Sequence, residues 1–134
     1  MRRLSIALVI GWAVLGTLTV SAQNRGGNPQ AAAVKNPVAA TPRSIADGQK
    51  LYQTRCRHCH GAKGLGDGPL APKNPSPANL TDAQWDHGSS DGEIFALISN
   101  GAGQDSEMKP MKRDLSATDI WRIVNYLRSL GPTQ

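Results

Sequence analysis

Cys56 and Cys59 are the only cysteines in the chain, and His60 follows directly in the stretch CRHCH. Three chemistries use thiols spaced this closely. A thioredoxin-like redox pair needs a βαβ setting, and no segment here shows a strand pattern. A structural zinc site needs four ligands, usually as two separated pairs. The only histidines are His58, His60 and His87, and no second close pair exists. Covalent haem attachment uses Cys-x-x-Cys-His, the pattern that is present. In that chemistry the thiols add across two porphyrin vinyl groups and the next histidine becomes the proximal iron ligand. One motif predicts one haem c and leaves no cysteine over.

Composition points the same way. Three Trp, two Tyr and one Phe are the whole aromatic supply. A domain of about 90 residues is marginal on its own apolar surface, and a prosthetic group would complete its core.

The motif must be held by helices. SIADGQKLYQTRCRHC carries Ile45, Leu51 and Tyr52 at helical spacing, with Ser44 or Asp47 as its start. SDGEIFALISNG reads as a short helix: Ser90 and Glu93 form a capping box, Ile94, Leu97 and Ile98 share a face, and Gly101 ends it. SATDIWRIVNYLRSLGP has Ser116 and Asp119 at capping distance. Its apolar stripe is Ile120, Ile123, Val124 and Leu127, with Trp121 and Tyr126 on the flanks and Gly131-Pro132 as the stop. Between the first two helices, Gly61 to Ser89 is rich in glycine and proline. A loop that long needs a task, and wrapping a planar ligand is one. A short helix near Thr81 to Trp85 fits inside it. GLGDGP (64–69) lacks the ending of a phosphate loop and the spaced carboxylates of an EF-hand, so its glycines serve tight turns.

Residues 1–22 read as a signal peptide or an N-terminal anchor. Arg2 and Arg3 precede a 17-residue apolar run, Leu4 to Val20, and Val20-Ser21-Ala22 suits cleavage before Gln23. Either way the rest of the chain is expected outside the cytoplasm, in the periplasm, with membrane contact only if the segment stays uncleaved. Residues 23–43, poor in large apolar side chains, read as a disordered linker. Without Arg2 and Arg3 the 15 basic residues fall to 13 against 10 acidic ones. That mild balance, with no basic run, gives no reason to expect nucleic-acid binding.

Residues 44–131 resemble a small, bacterial, exported monohaem class I cytochrome c. The resemblance rests on Gly48, Leu51 and Tyr52, on Cys56, Cys59, His60 and Gly61, and on GLGDGP at 64–69. It continues through SPANL at 76–80, DGEIF at 91–95, Asn100-Gly101, Met108, Leu115-Ser116 and the IWRIVNYLRSL helix. It implies an all-α fold, about three to five helices wrapped around one covalently attached haem c. The first and last helices would cross, packing Gly48 and Tyr52 against Trp121 and Tyr126. Cys56 and Cys59 would form the thioethers and His60 the proximal ligand. In MKPM (108–111), the family pattern puts the distal ligand seven residues before Leu115, at Met108. Met111 is the second choice, with packing near the haem edge as its other reading. His58 and His87 are expected in solvent, and Trp85 on the haem or bonded to a propionate.

An iron closed on both sides leaves no position for a substrate. The resemblance therefore implies a one-electron carrier, not an enzyme, with no catalytic residues. Its partners would be redox proteins: a dehydrogenase, oxidase or reductase. Two alternatives stay open, a haem subunit fixed to a dehydrogenase or oxidase complex, and an open-site haem enzyme or gas sensor. Lys63, Lys109, Lys112 and Arg113 are candidates for a basic rim that steers acidic partners.

Overall fold

In α5 (Ala117–Leu130) burial runs almost all the way round. Ser116 caps it, accepting from the Asp119 amide at 3.1 Å and donating to Asp119 Oδ2 at 2.7 Å. The stripe Ile120, Ile123, Val124 and Leu127 is buried as the periodicity predicts, and so are the flanking Trp121 and Tyr126. Trp121 is covered by Phe95, stacked on it with ring centroids 4.1 Å apart. Tyr126 is covered by Tyr52, at 5.2 Å and 56°. A helix enclosed on several faces is the pillar of the domain.

The computed structural model describes residues 27–83 and 85–131, so the signal or anchor reading of 1–22 lies outside it. Its other helices are α1 (Pro29–Ala32), α2 (Pro42–Arg55), α3 (Arg57–His60) and α4 (Asp91–Asn100). No strand occurs among the described residues, and the fold is all-helical. Helix α2 begins earlier than expected. Thr41 Oγ1 accepts from the Ser44 amide at 3.1 Å and Pro42 takes the first turn, where its missing N–H costs nothing. Ser44 is instead buried inside the helix, and Asp47 makes only loose ion pairs at 3.7 and 3.9 Å. Residues 81–83 run through a turn and a bend, and neither they nor Trp85 are helical.

Helices α2 and α5 cross at Gly48. A Cβ there would lie 1.9 Å from the Arg122 carbonyl oxygen, so only glycine lets the two backbones meet.

Residues 27–43 depart from the expected linker. Asn28 caps α1, its Oδ1 accepting from the amides of Gln30 and Ala31 at 3.1 and 3.2 Å. The Ala31 carbonyl lies against Gly92 so closely that a Cβ on Gly92 would sit 1.9 Å from it. Further on, Asn36 Nδ2 donates to Asn125 Oδ1 at 2.8 Å, and Asn125 Nδ2 donates to the Val38 carbonyl at 3.0 Å and Ser44 Oγ at 2.9 Å. This strap is held by amide hydrogen bonds and by close contact of small residues. Its lack of large apolar side chains therefore does not leave it loose; residues 23–26 lie outside the described residues.

The strap also closes over Glu93. The Glu93 carboxylate is buried and accepts from Ser90 N at 3.0 Å and Ser90 Oγ at 2.7 Å, completing the capping box read from the sequence. The backbone amides of Asn28 and Ser89 donate to it as well. Burial alone would raise its pKa, but these donors prevail and hold the carboxyl below the ordinary glutamate range. Beside it Arg128 Nε donates to Asp91 Oδ1 at 2.7 Å and its Nη2 donates to the Ser89 carbonyl, tying α5 to the same corner.

Candidate functional site

Helix α2 delivers the motif at its end. Cys56 closes α2, its amide donating to the Tyr52 carbonyl at 2.8 Å, and the chain re-enters a single helical turn, α3. Within that turn the Cys59 and His60 amides both donate to the Cys56 carbonyl, at 3.2 and 3.0 Å. Cys56 and Cys59 are thus one turn apart, half-buried and unbridged.

The glycine-rich loop folds back along the motif. Leu70 N donates to the His58 carbonyl at 2.8 Å, Gly68 N to the Cys59 carbonyl at 3.1 Å, and Gly66 N to the His60 carbonyl at 2.9 Å. Between the two runs Gly61 has φ +79°, a left-handed turn that disfavours any other residue. Three consecutive carbonyls of the motif are therefore fixed by one loop.

His60 has its Nδ1 at 3.4 Å from the Ala78 carbonyl oxygen. A carbonyl only accepts, so Nδ1 carries the proton and the lone pair of the neutral ring resides on Nε2. Burial lowers the His60 pKa, opposed by the Ala78 contact, and favours the neutral ring that can bind iron. Burial, then the neighbouring Cys59, pushes the Cys56 thiol up to about 12. A redox-exchange cysteine requires the opposite shift. Among the described residues no group of three or more His, Cys, Asp or Glu side chains is placed to share a metal ion.

The methionine loop hangs on the C-terminal end of α4. Gly101, with φ +75°, ends that helix, and the Ala102 amide donates to the Met108 carbonyl at 3.0 Å. Met108 N donates to Ser106 Oγ at 3.1 Å, Met111 N to the Ile98 carbonyl at 3.0 Å, and Lys112 N to the Ser99 carbonyl at 3.3 Å. Cys56, Met108 and Met111 are all partly buried against the core cluster that includes Ile94, Ile98 and Tyr52. Two thiols one turn apart, a neutral imidazole with one free nitrogen and thioethers on the same core fit a covalently held haem.

The other sequence candidates lie elsewhere. His58 and His87 are exposed. Trp85 packs on the core, but its indole N–H donates to the Asp82 carbonyl at 3.0 Å, so that donor is used within the chain. Lys63, Lys109, Lys112 and Arg113 are exposed; Lys109 Nζ reaches the Ser106 carbonyl at 2.9 Å and Lys112 Nζ reaches Asn100 Oδ1 at 3.0 Å. Sequence reasoning did not find the Ala78 carbonyl, because a backbone acceptor leaves no mark in residue type.

The model of the family described as Cytochrome c matches residues 45–131. The chain is 33% identical over 87 residues to the cbb3-type cytochrome c oxidase subunit FixP of Azorhizobium caulinodans, covering 65% of this chain and 27% of that one. It is 30% identical over 95 residues to the cbb3-type cytochrome c oxidase subunit CcoP of Rubrivivax gelatinosus, covering 70% and 28%. The chain thus spans little more than a quarter of the length of these curated relatives. Among solved structures, a reducing HAO-like protein complex of Kuenenia stuttgartiensis, Kustc0457/Kustc0458, superposes with a TM-score of 0.64 at 27% identity. That match covers 74% of this chain and 50% of the other. Cytochrome cL of Methylophaga aminisulfidivorans superposes with a TM-score of 0.55 at 29% identity, covering 67% and 57%. With its attachment motif set in an all-helical frame and the family match running from α2 to the end of α5, the chain belongs to the cytochrome c family, whose members bind haem c and transfer electrons.

Proposed function

We propose that this chain is an exported carrier of single electrons, with Cys56 and Cys59 as the thioether anchors, His60 as the proximal iron ligand and Met108 as the distal one. The observation that carries the reading is the His60 ring: its Nδ1 is committed to the Ala78 carbonyl, which leaves Nε2 as the basic nitrogen. Haem would supply a reversible one-electron couple, and a thioether ligand together with histidine would favour the reduced state. The residues do the rest. Cys56 and Cys59 fix the porphyrin to the α2–α3 turn, the Gly66-to-Leu70 loop stiffens that turn, and α4 holds the methionine loop through Ile98 and Ser99. Met111, half-buried against the core, packs without binding.

The test is a visible spectrum of protein matured with haem c machinery. His/Met ligation gives sharp reduced bands and a weak far-red band in the oxidised form. Met108→Ala is expected to abolish the far-red band, and Met111→Ala to keep it. The reverse result moves the ligand to Met111; a high-spin wild-type spectrum overturns the carrier reading.

The second reading is a fixed subunit of a larger redox assembly. Its support is that both curated relatives are named as oxidase subunits and one structural relative as part of a protein complex. Retention of the chain with an oxidase or dehydrogenase through purification would favour it over a diffusing shuttle. For either role, exposed Lys63 follows the motif in sequence and exposed Lys109, Lys112 and Arg113 follow Met108, a charge suited to acidic redox partners. Charge reversal at Lys109 and Lys112 is expected to flatten the salt dependence of electron transfer. An unchanged salt dependence removes the steering role.

A further inference from the structure

Two neighbouring side chains of α2 reach past the whole attachment motif. Tyr52, fully buried, donates its hydroxyl to the Gly61 carbonyl at 2.8 Å. Gln53, half-buried, donates its amide to the Ala62 carbonyl at 3.1 Å. Consecutive donors on the helix therefore hold consecutive carbonyls of the chain that leaves His60. Gly61 O has one further contact, a longer one from Gly64 N at 3.3 Å. In the preceding peptide, the His60 carbonyl is held by Gly66 N at 2.9 Å.

We infer that Tyr52 and Gln53 are positioning residues for His60, forming a clamp on the two peptides that follow it, Gly61–Ala62 and Ala62–Lys63, that fixes the turn leaving His60 and with it the angle at which the ring meets the Ala78 carbonyl. The inference rests on the reading of His60 as the proximal ligand. Neither side chain is near enough in sequence to be part of the motif's own helical turn, and neither bond is needed to close α2, which ends on its own backbone bond from Cys56 to Tyr52. What the two bonds do fix is the exit from the ligand. A histidine's second-nitrogen partner sets both its ring orientation and its basicity toward the metal. Releasing the Gly61 carbonyl lets the ring drift from Ala78, weakens that hydrogen bond and makes the imidazole a poorer donor. Ferric iron loses more from this than ferrous iron, so the midpoint potential rises.

The experiment compares holoprotein with Tyr52→Phe and Gln53→Ala, reading ferric g-values, midpoint potential and thermal midpoint. Tyr52→Phe keeps the ring against Tyr126 and removes only the hydroxyl. It is expected to move the g-values and to raise the ferrous-to-ferric ratio at fixed ambient potential by roughly threefold, where a tenfold change would be about 59 mV for one electron. Gln53→Ala is expected to move both readings the same way by less, with the thermal midpoint unchanged. A lower thermal midpoint in Tyr52→Phe with wild-type g-values and potential in both variants means a merely structural role and overturns the inference. If Tyr52→Phe yields no folded haem protein, Gln53→Ala decides by the same readings. Nitrogen-15 labelling of histidine in the wild type checks the premise separately. Loss of the iron-shifted His60 signals there ends the ligand reading itself, whereas their presence with unmoved variants ends only the clamp.

Discussion

At His60 the deciding partner is a backbone oxygen, and this has a consequence for mutation. Ala78 is exposed and contributes its carbonyl, so Ala78→Ser is expected to leave the spectrum unchanged and stability within about 0.5 kcal/mol. A spectral shift in that variant would show that the side chain matters. Tyr52 is also robust as a donor, because burial raises its pKa and keeps the hydroxyl protonated across ordinary pH. Glu93 behaves differently. Its folded pKa is depressed, so its contribution to stability is complete above the unfolded value of about 4.3 and is lost as pH falls through the lower folded value. Glu93→Gln is expected to destabilise the domain at neutral pH and to flatten the acid limb of its stability curve. Urea midpoints measured from pH 7 down to pH 3 would test this, and an acid limb of unchanged slope would count against the cradle.

Among the elements, the α2–α5 crossing is the least forgiving contact. Gly48→Ala would gain about 1 kcal/mol in helix propensity but would press a methyl onto the Arg122 carbonyl, and forced overpacking costs roughly 3 kcal/mol. The net expectation is a loss of about 2 kcal/mol, read by denaturant unfolding; a neutral variant would mean that the helices can slide apart there. The caps at Ser90/Glu93 and Ser116/Asp119 were legible in the sequence because both partners lie three residues apart. The start of α2 was less so: Ser44 resembles a cap, yet Thr41 with Pro42 behind it is the true one. The periodicity of α5 put Trp121 and Tyr126 only on its flanks; the resemblance already implied that Tyr52 packs there, as it does on Tyr126, but not that Phe95 covers Trp121. The attachment motif was wholly legible, because its chemistry requires fixed spacing. The loop ladder and the Ala78 contact were not, because they involve backbone groups.

On the scale of the whole molecule, the folded unit includes the strap as well as the helices. Composition hid this, for the contacts that order residues 28–41 span most of the chain, from Asn36 to Asn125. Removing residues 27–40 is expected to lower the thermal midpoint of the holoprotein, and Asn125→Ala to cost about 2 kcal/mol through the partners it abandons at Ser44, Val38 and Asn36. A truncated protein as stable as the full chain would return the strap to the status of a tail. No helix among the described residues is long and apolar enough to cross a membrane. The strap meets α4 at its first turn, through Gly92 and Glu93, whereas the methionine loop is fastened to its last turn, through Ile98 and Ser99. Six residues of helix, about 9 Å, separate the two fastenings. A mechanical pull on the leading segment would therefore enter at the Glu93 corner and pass through Asn36 and Asn125 into α5. The strain would be borne by the pillar of the domain, and the loop that carries Met108 would lie off that path.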